Sequence, residues 1–111
     1  MHGNPFKYLV IFSIFLAVFA ALPAHAHKVN IFAYVEDAKI HTESYFPDGK
    51  AVEGGAIEVL DSQGQKVAEG VTDKEGKCVI PIPKEDDLTI VINASMGHKN
   101  SFLLKKGELG E

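Results

Sequence analysis

The sequence predicts an all-β protein, a single Greek-key β-sandwich of about seven strands preceded by a cleavable signal peptide. Three observations carry that expectation. Apolar and polar residues alternate with a period of two, turn residues punctuate the chain at short intervals, and no helical period appears after residue 27.

The leader comes first. Met1 to Lys7 carry the amino terminus and one lysine, and Tyr8 to Leu22 form an apolar run of about 15 residues, the length of a signal-peptide core. A membrane-spanning helix wants about 20. Ala24 and Ala26 occupy the small-residue positions before His27, and Pro23 stops the helix where a peptidase needs extended chain. The expected cut therefore follows Ala26, with a cut after Ala24 and an uncleaved anchor as the alternatives. Residues 1–26 are then the signal peptide, 27–105 the β-sandwich domain and 106–111 a short carboxy-terminal tail. The expected location is exported, in the periplasm or on the extracytoplasmic face of the membrane. No cysteine lies near the cut, so a lipid-anchored precursor is not expected.

Each strand has its own signal. Val29, Ile31, Ala33 and Val35 alternate with Asn30, Phe32, Tyr34 and Glu36, the pattern of a half-buried strand. Glu36 to Lys39 reads as a turn and Ile40 to Phe46 as the returning strand. Pro47-Asp48-Gly49 is turn chemistry, because proline presets the backbone and glycine accepts unusual dihedrals. A third strand runs from Ala56 to Leu60, with Gly54-Gly55 before it as a candidate bulge. Asp61-Ser62-Gln63-Gly64 and Asp73-Lys74-Glu75-Gly76 both place aspartate first and glycine fourth, as a type I turn prefers. They bound a strand near 65–71 and another near 77–82, where Pro81 and Pro83 point to a sheet edge or an early end. Leu88 to Ala94 is a continuous apolar-rich run, and Ser101 to Leu104 supplies a last strand after the Gly97 turn.

Composition narrows the function. The chain has no arginine, and its 15 acidic residues outnumber its 11 lysines. Nucleic acid and phosphate ligands favour clustered cations and the guanidinium fork, so neither is expected as a partner. Cys78 is the only cysteine, which rules out an intrachain disulfide. It alternates with Ile80 and Ile82 and reads as a small core residue, neither nucleophile nor ligand.

Two resemblances follow from these residues. Phe46-Pro47-Asp48-Gly49-Lys50-Ala51-Val52, Ile57 to Asp61, Gly64 and Thr72 to Lys77 resemble the carboxypeptidase regulatory-like, transthyretin-like β-sandwich family. That resemblance speaks to fold. The export signal ending in Ala24-His25-Ala26-His27, the strand Lys28 to Ala33, the Phe46 to Lys50 turn, and Ala94-Ser95-Met96-Gly97-His98-Lys99 resemble the exported accessory subunit of energy-coupling-factor nickel/cobalt uptake transporters. This second resemblance implies a small extracytoplasmic partner of the membrane subunits, assisting capture or hand-over of Ni(II) or Co(II) or stabilising the membrane subunit, without ATP hydrolysis of its own. Members of that family often continue into a charged segment and a carboxy-terminal membrane helix, whereas here Lys105-Lys106-Gly107-Glu108 is followed only by the residues to Glu111, which leaves membrane tethering open.

The metal chemistry also follows from the residues. A free amino-terminal His27 offers its α-amine and an imidazole nitrogen, and a second imidazole adds a third nitrogen in the T-shaped array of a histidine brace. Planar nitrogen donors suit Cu(II) or Ni(II) better than Mg or Ca. Cleavage after Ala24 instead gives His25-Ala26-His27, whose amine, backbone amides and third-position imidazole wrap Ni(II) or Cu(II) in a square plane. An equally open reading is that the histidine falls at the terminus by accident of the cleavage site. If Val35 pairs with Ile40, His41 faces Tyr34 and lies about seven residues along the sheet from His27, on the order of 23 Å. That is too far for shared coordination. His98 is the expected partner of His27, with a ring that caps its own loop as the alternative.

Other groups are weighed lower. His41, Glu43 and Tyr45 share a strand face beside Phe32 and Tyr34, read first as a mixed outer sheet face and second as a ligand or docking patch. Glu85-Asp86-Asp87 reads as a solvated loop, since it lacks the spacing of a calcium site. Met96 is a soft donor for Cu(I) near His98, or simple packing. Catalysis is not expected: no nucleophile elbow and no zinc-hydrolase spacing is present, and copper-oxygen chemistry at a histidine brace is the one route left open. Three functional readings stand: a nickel/cobalt transporter accessory, a periplasmic copper-binding protein with an amino-terminal histidine site, and a non-metal β-sandwich interaction module.

Overall fold

The computed structural model describes residues 28–110. The leader, the two candidate cleavage sites and the residues His25, Ala26 and His27 lie outside the described residues. Within them the chain is all-β: β1 Asn30–Glu36, β2 Lys39–Tyr45, β3 Ala56–Leu60, β4 Lys66–Val71, β5 Lys77–Pro81, β6 Leu88–Asn93 and β7 Lys99–Leu104. Two short 3-10 turns, Ser95–Gly97 and Lys106–Glu108, complete the list of elements. No helix of the described residues is long and apolar enough to cross a membrane.

The strands form two antiparallel sheets, one of three strands ordered β1-β2-β5 and one of four ordered β4-β3-β6-β7. Alternation dictates which side of each strand is buried. Val29 and Ala33, then Ile40, Thr42 and Ser44, then Ile80 turn inward from the first sheet; Ile57, Val59, Leu88, Ile90, Ile92 and Leu104 turn inward from the second. The apolar residues among these form one cluster. Each fully buried Ile, Leu or Val contributes roughly 1.5–3 kcal/mol of transfer free energy, and with no disulfide this shared core is what holds the sandwich. Leu109, just after the second 3-10 turn, is also buried in it, so the segment after residue 105 packs onto the domain.

The register of β1 against β2 places Val35 opposite Ile40, Tyr34 opposite His41 and Asn30 opposite Tyr45. β5 pairs only with β2 and ends at Pro81, the edge position that a residue without an N–H tolerates. The register break expected at Gly54-Gly55 falls elsewhere, between Val59 and Leu60 where β4 carries the extra residue Val67. Gly55 answers a different need: a Cβ there would meet Ile92 Cδ1 and Val52 Cγ1 at 2.8 Å, so glycine lets the chain pass close over the core. The last strand begins at Lys99, two residues earlier than the apolar pattern suggests, because Lys99 and Asn100 pair with Asn93 and Ile92 although they are polar.

Where the sheets meet, β1 lies against β7 and β5 against β4. The Asn100 side chain donates to the Val29 carbonyl at 2.8 Å, and Phe32 meets Phe102 edge to face at 5.5 Å. These contacts gather the start of β1, the exit of β2 and the β6–β7 turn at one end of the sandwich. The β1–β2 turn, the β3–β4 turn, the 82–87 connection and the carboxy-terminal segment gather at the other.

Candidate functional site

His98 closes the β6–β7 turn. The Ala94 amide donates to the His98 carbonyl at 2.7 Å, and the His98 amide donates to the Ser95 carbonyl at 3.3 Å. Its half-buried ring stands edge-on to Phe46, with centroids 5.5 Å apart and planes at 69°. Phe46 is itself fixed by the turn that follows β2: its amide donates to the Lys50 carbonyl and its carbonyl accepts from Gly49, both at 2.8 Å. Asp48 Oδ1 takes the Lys50 amide at 2.9 Å, the turn chemistry expected of Pro47-Asp48-Gly49. Phe46 thus packs against the imidazole, while the hairpin fixes the backbone beneath it.

The described chain begins at the same end. Val29, two residues after His27 in sequence, is fully buried and tied through its carbonyl to Asn100, two residues after His98. His27 itself is outside the described residues. The segments Lys28–Ala33, Phe46–Lys50 and Ala94–Lys99, far apart in sequence, converge here through strand register and the Asn100 and Phe46 contacts. Among the described residues, no group of three or more His, Cys, Asp or Glu side chains is placed to hold a metal ion.

His41 belongs to a different surface. It stacks on Tyr34 at 5.2 Å with planes 9° apart, and its Nε2 donates to the Glu36 carbonyl at 3.2 Å. It sits four residues along β2 from Tyr45, or about 13 Å from the end that carries His98. Along the same face Tyr45 donates to Glu43 Oε1 at 3.2 Å, burial and then this bond raise the tyrosine pKa, and Phe32 and Val79 are exposed. This is the mixed outer sheet face. Cys78 is half-buried and packed against the core, with burial pushing its thiol pKa upward, so nothing activates it as a thiolate.

Met96 is not packing. Its side chain is 91% exposed, and its backbone is left-handed at φ 62°, ψ 33°. The acidic loop read as solvated, with Glu85 exposed and Asp86 and Asp87 half-buried, is also tied down. Asp86 Oδ2 accepts from the Ser62 amide at 3.0 Å and from its hydroxyl at 2.8 Å, and Asp87 Oδ1 accepts from the Lys106 amide at 2.8 Å. Beside it Lys84 donates to the buried Asp61 Oδ2 at 2.9 Å. These residues brace the end opposite His98. Thr72, quoted above only within a family resemblance, has a bonding role that was not read: its hydroxyl donates to the Val52 carbonyl at 2.6 Å and accepts from the Gly55 amide at 2.8 Å, stitching two loops beneath the His98 end. A threonine between the end of β4 and the Asp73 turn gives no pattern by which this role is read.

In comparisons with protein-family models, curated proteins and solved structures, none matches the chain.

Proposed function

We propose that this chain is an exported accessory component of a nickel/cobalt uptake transporter, assisting capture or hand-over of Ni(II) or Co(II) to the membrane subunits, or stabilising them by contact. The reading includes a leader cleaved after Ala26, a Greek-key, transthyretin-like connectivity, and a nitrogen site made of the His27 terminus and His98. The observation that supports it is the convergence of the start of β1, the Phe46 turn and the His98 turn at one end, through Asn100 to Val29 and Phe46 to His98. His98 packs against Phe46 at this end, whereas His41 stacks on Tyr34 and bonds the Glu36 carbonyl on another part of the sheet. A periplasmic copper-binding role with the same terminal histidine is the second reading, favoured by the exposed thioether of Met96.

Native mass spectrometry of protein purified from its export compartment tests both, by reading the mature terminus together with any bound metal. Binding of Ni(II) or Co(II) to a chain starting at His27 is expected, and His27→Ala is expected to weaken it by at least about tenfold while His41→Ala leaves it unchanged. Equal affinities of the two variants would remove the proposed site. A chain that stays metal-free after titration leaves the domain as a protein-interaction module.

A further inference from the structure

Among the exposed large hydrophobic side chains of the described residues, Met96 is the barest, and it stands two residues before His98, whose imidazole packs against Phe46. Its left-handed backbone assigns nothing by itself, since Ala38 holds φ 60° and has no chemistry to offer. What sets Met96 apart is a soft, polarisable donor held out on a hairpin whose partner strands are fixed in register. The geometry points to a Cu(I) site at this turn, with the Met96 thioether and the His98 imidazole as its protein donors. The two Cα atoms are separated by two peptide units, at most about 7 Å. That lies within the joint reach of both side chains, and no packing restrains the methionine.

The donor types select the ion. Thioether and imidazole suit monovalent copper, which accepts few ligands; Mg, Ca and Mn want several oxygens. No cluster of three or more His, Cys, Asp or Glu side chains among the described residues supplies such a set here. The inference shares His98 with the proposed nickel/cobalt reading and makes no use of His27, so the two stand or fall on different measurements.

The test is an anaerobic Cu(I) titration of the mature protein against a chromophoric competing chelator, beside a Ni(II) titration, for the native chain and Met96→Asn. Asparagine before Gly97 suits the turn, so the variant is expected to fold at least as well. Cu(I) affinity is expected to fall by at least about tenfold while Ni(II) affinity stays within about twofold. Met96 is the only methionine besides Met1, so its methyl resonance is an unambiguous second reading and is expected to shift when Ag(I), a redox-inert surrogate, is added. Unchanged Cu(I) affinity in Met96→Asn, or a methyl resonance indifferent to Ag(I), overturns the site. Met96-dependent Cu(I) binding without Ni(II) binding keeps this site and sinks the nickel reading; Ni(II) binding with Met96-independent Cu(I) affinity does the reverse.

Discussion

Two hairpin turns of this domain share a backbone conformation and carry it with opposite halves of the preferred sequence. Asp37 and Ala38 join β1 to β2 with φ of 54° and 60°; Met96 and Gly97 join β6 to β7 with φ of 62° and 77°. Turns with both central residues in the left-handed region favour Asn or Asp followed by Gly. The first turn has the aspartate without the glycine, and the second has the glycine without the asparagine. Strand register therefore dictates the turn in each case. A slip of one residue between β1 and β2 would turn Ile40, Thr42 and Ser44 out of the core, a loss far larger than the strain of one alanine. At Ala38 the strained residue displays only a methyl group, whereas at Met96 it displays a donor atom beside His98.

The contrast sharpens first at glycine. Gly76 and Gly97 have nearly the same positive φ, 78° and 77°, but a Cβ at Gly76 would collide with the Ser44 carbonyl and lie 3.2 Å from the Val52 nitrogen, while a Cβ at Gly97 meets nothing within 4 Å. Gly76→Ala should destabilise by roughly 3 kcal/mol, backbone strain plus overpacking, and Gly97→Ala by roughly 1–2 kcal/mol, backbone strain alone. Urea unfolding of the pair measures the difference; equal losses would mean that the Gly76 loop relaxes freely and that packing adds nothing there. Ala38→Gly runs the other way. Relief of left-handed strain outweighs the added flexibility of the unfolded chain, giving a gain of about 0.5–1 kcal/mol and a Tm higher by several degrees. A lowered Tm would show that Ala38 is not strained and break the comparison.

These positions also show what a sequence can and cannot reveal. The inward series Val29, Ile31, Ala33, Val35 was legible because period-two burial is local, and the pairing of Val35 with Ile40, taken only as a condition in the sequence reading, is the register observed, with Tyr34 opposite His41. The twin turns were legible too: Asp61 Oδ1 accepts from Gln63 and Gln65, and Asp73 Oδ1 from Glu75 and Lys77, in matching geometry. The start of β7 was not, because Lys99 and Asn100 join the ladder through backbone bonds that ignore side-chain polarity. Nor were Thr72 to Val52, Lys84 to Asp61 or Asp87 to Lys106, which join loops 19 or more residues apart. Of the candidate site, His98 was singled out only by its place after a turn and by family resemblance. Its contact with Phe46 depends on how two loops from different sheets meet, which no local pattern encodes.

The smallest effect tests the braced end against the His98 end. Asp61 has a side chain only 1% exposed, and its Lys84 partner is 45% exposed. The Lys84 ammonium holds the Asp61 carboxyl below its ordinary range, helped by the amides of Gln65 and Gln63 and opposed by burial. Asp61→Asn keeps an oxygen for both amides and lets Lys84 turn to water, so the loss at neutral pH is small and comes from charge alone. Because the folded pKa is depressed, this stabilisation is complete above the unfolded value of about 4 and disappears as pH falls through the folded value beneath it. The Tm gap between the native chain and Asp61→Asn should therefore be open at pH 7 and close below about pH 4, since asparagine does not titrate. A gap of the same size in acid would place the contribution of Asp61 in shape and hydrogen bonding. The two ends of the sandwich would then differ in how their loops pack, and charge would not be what sets the braced end apart.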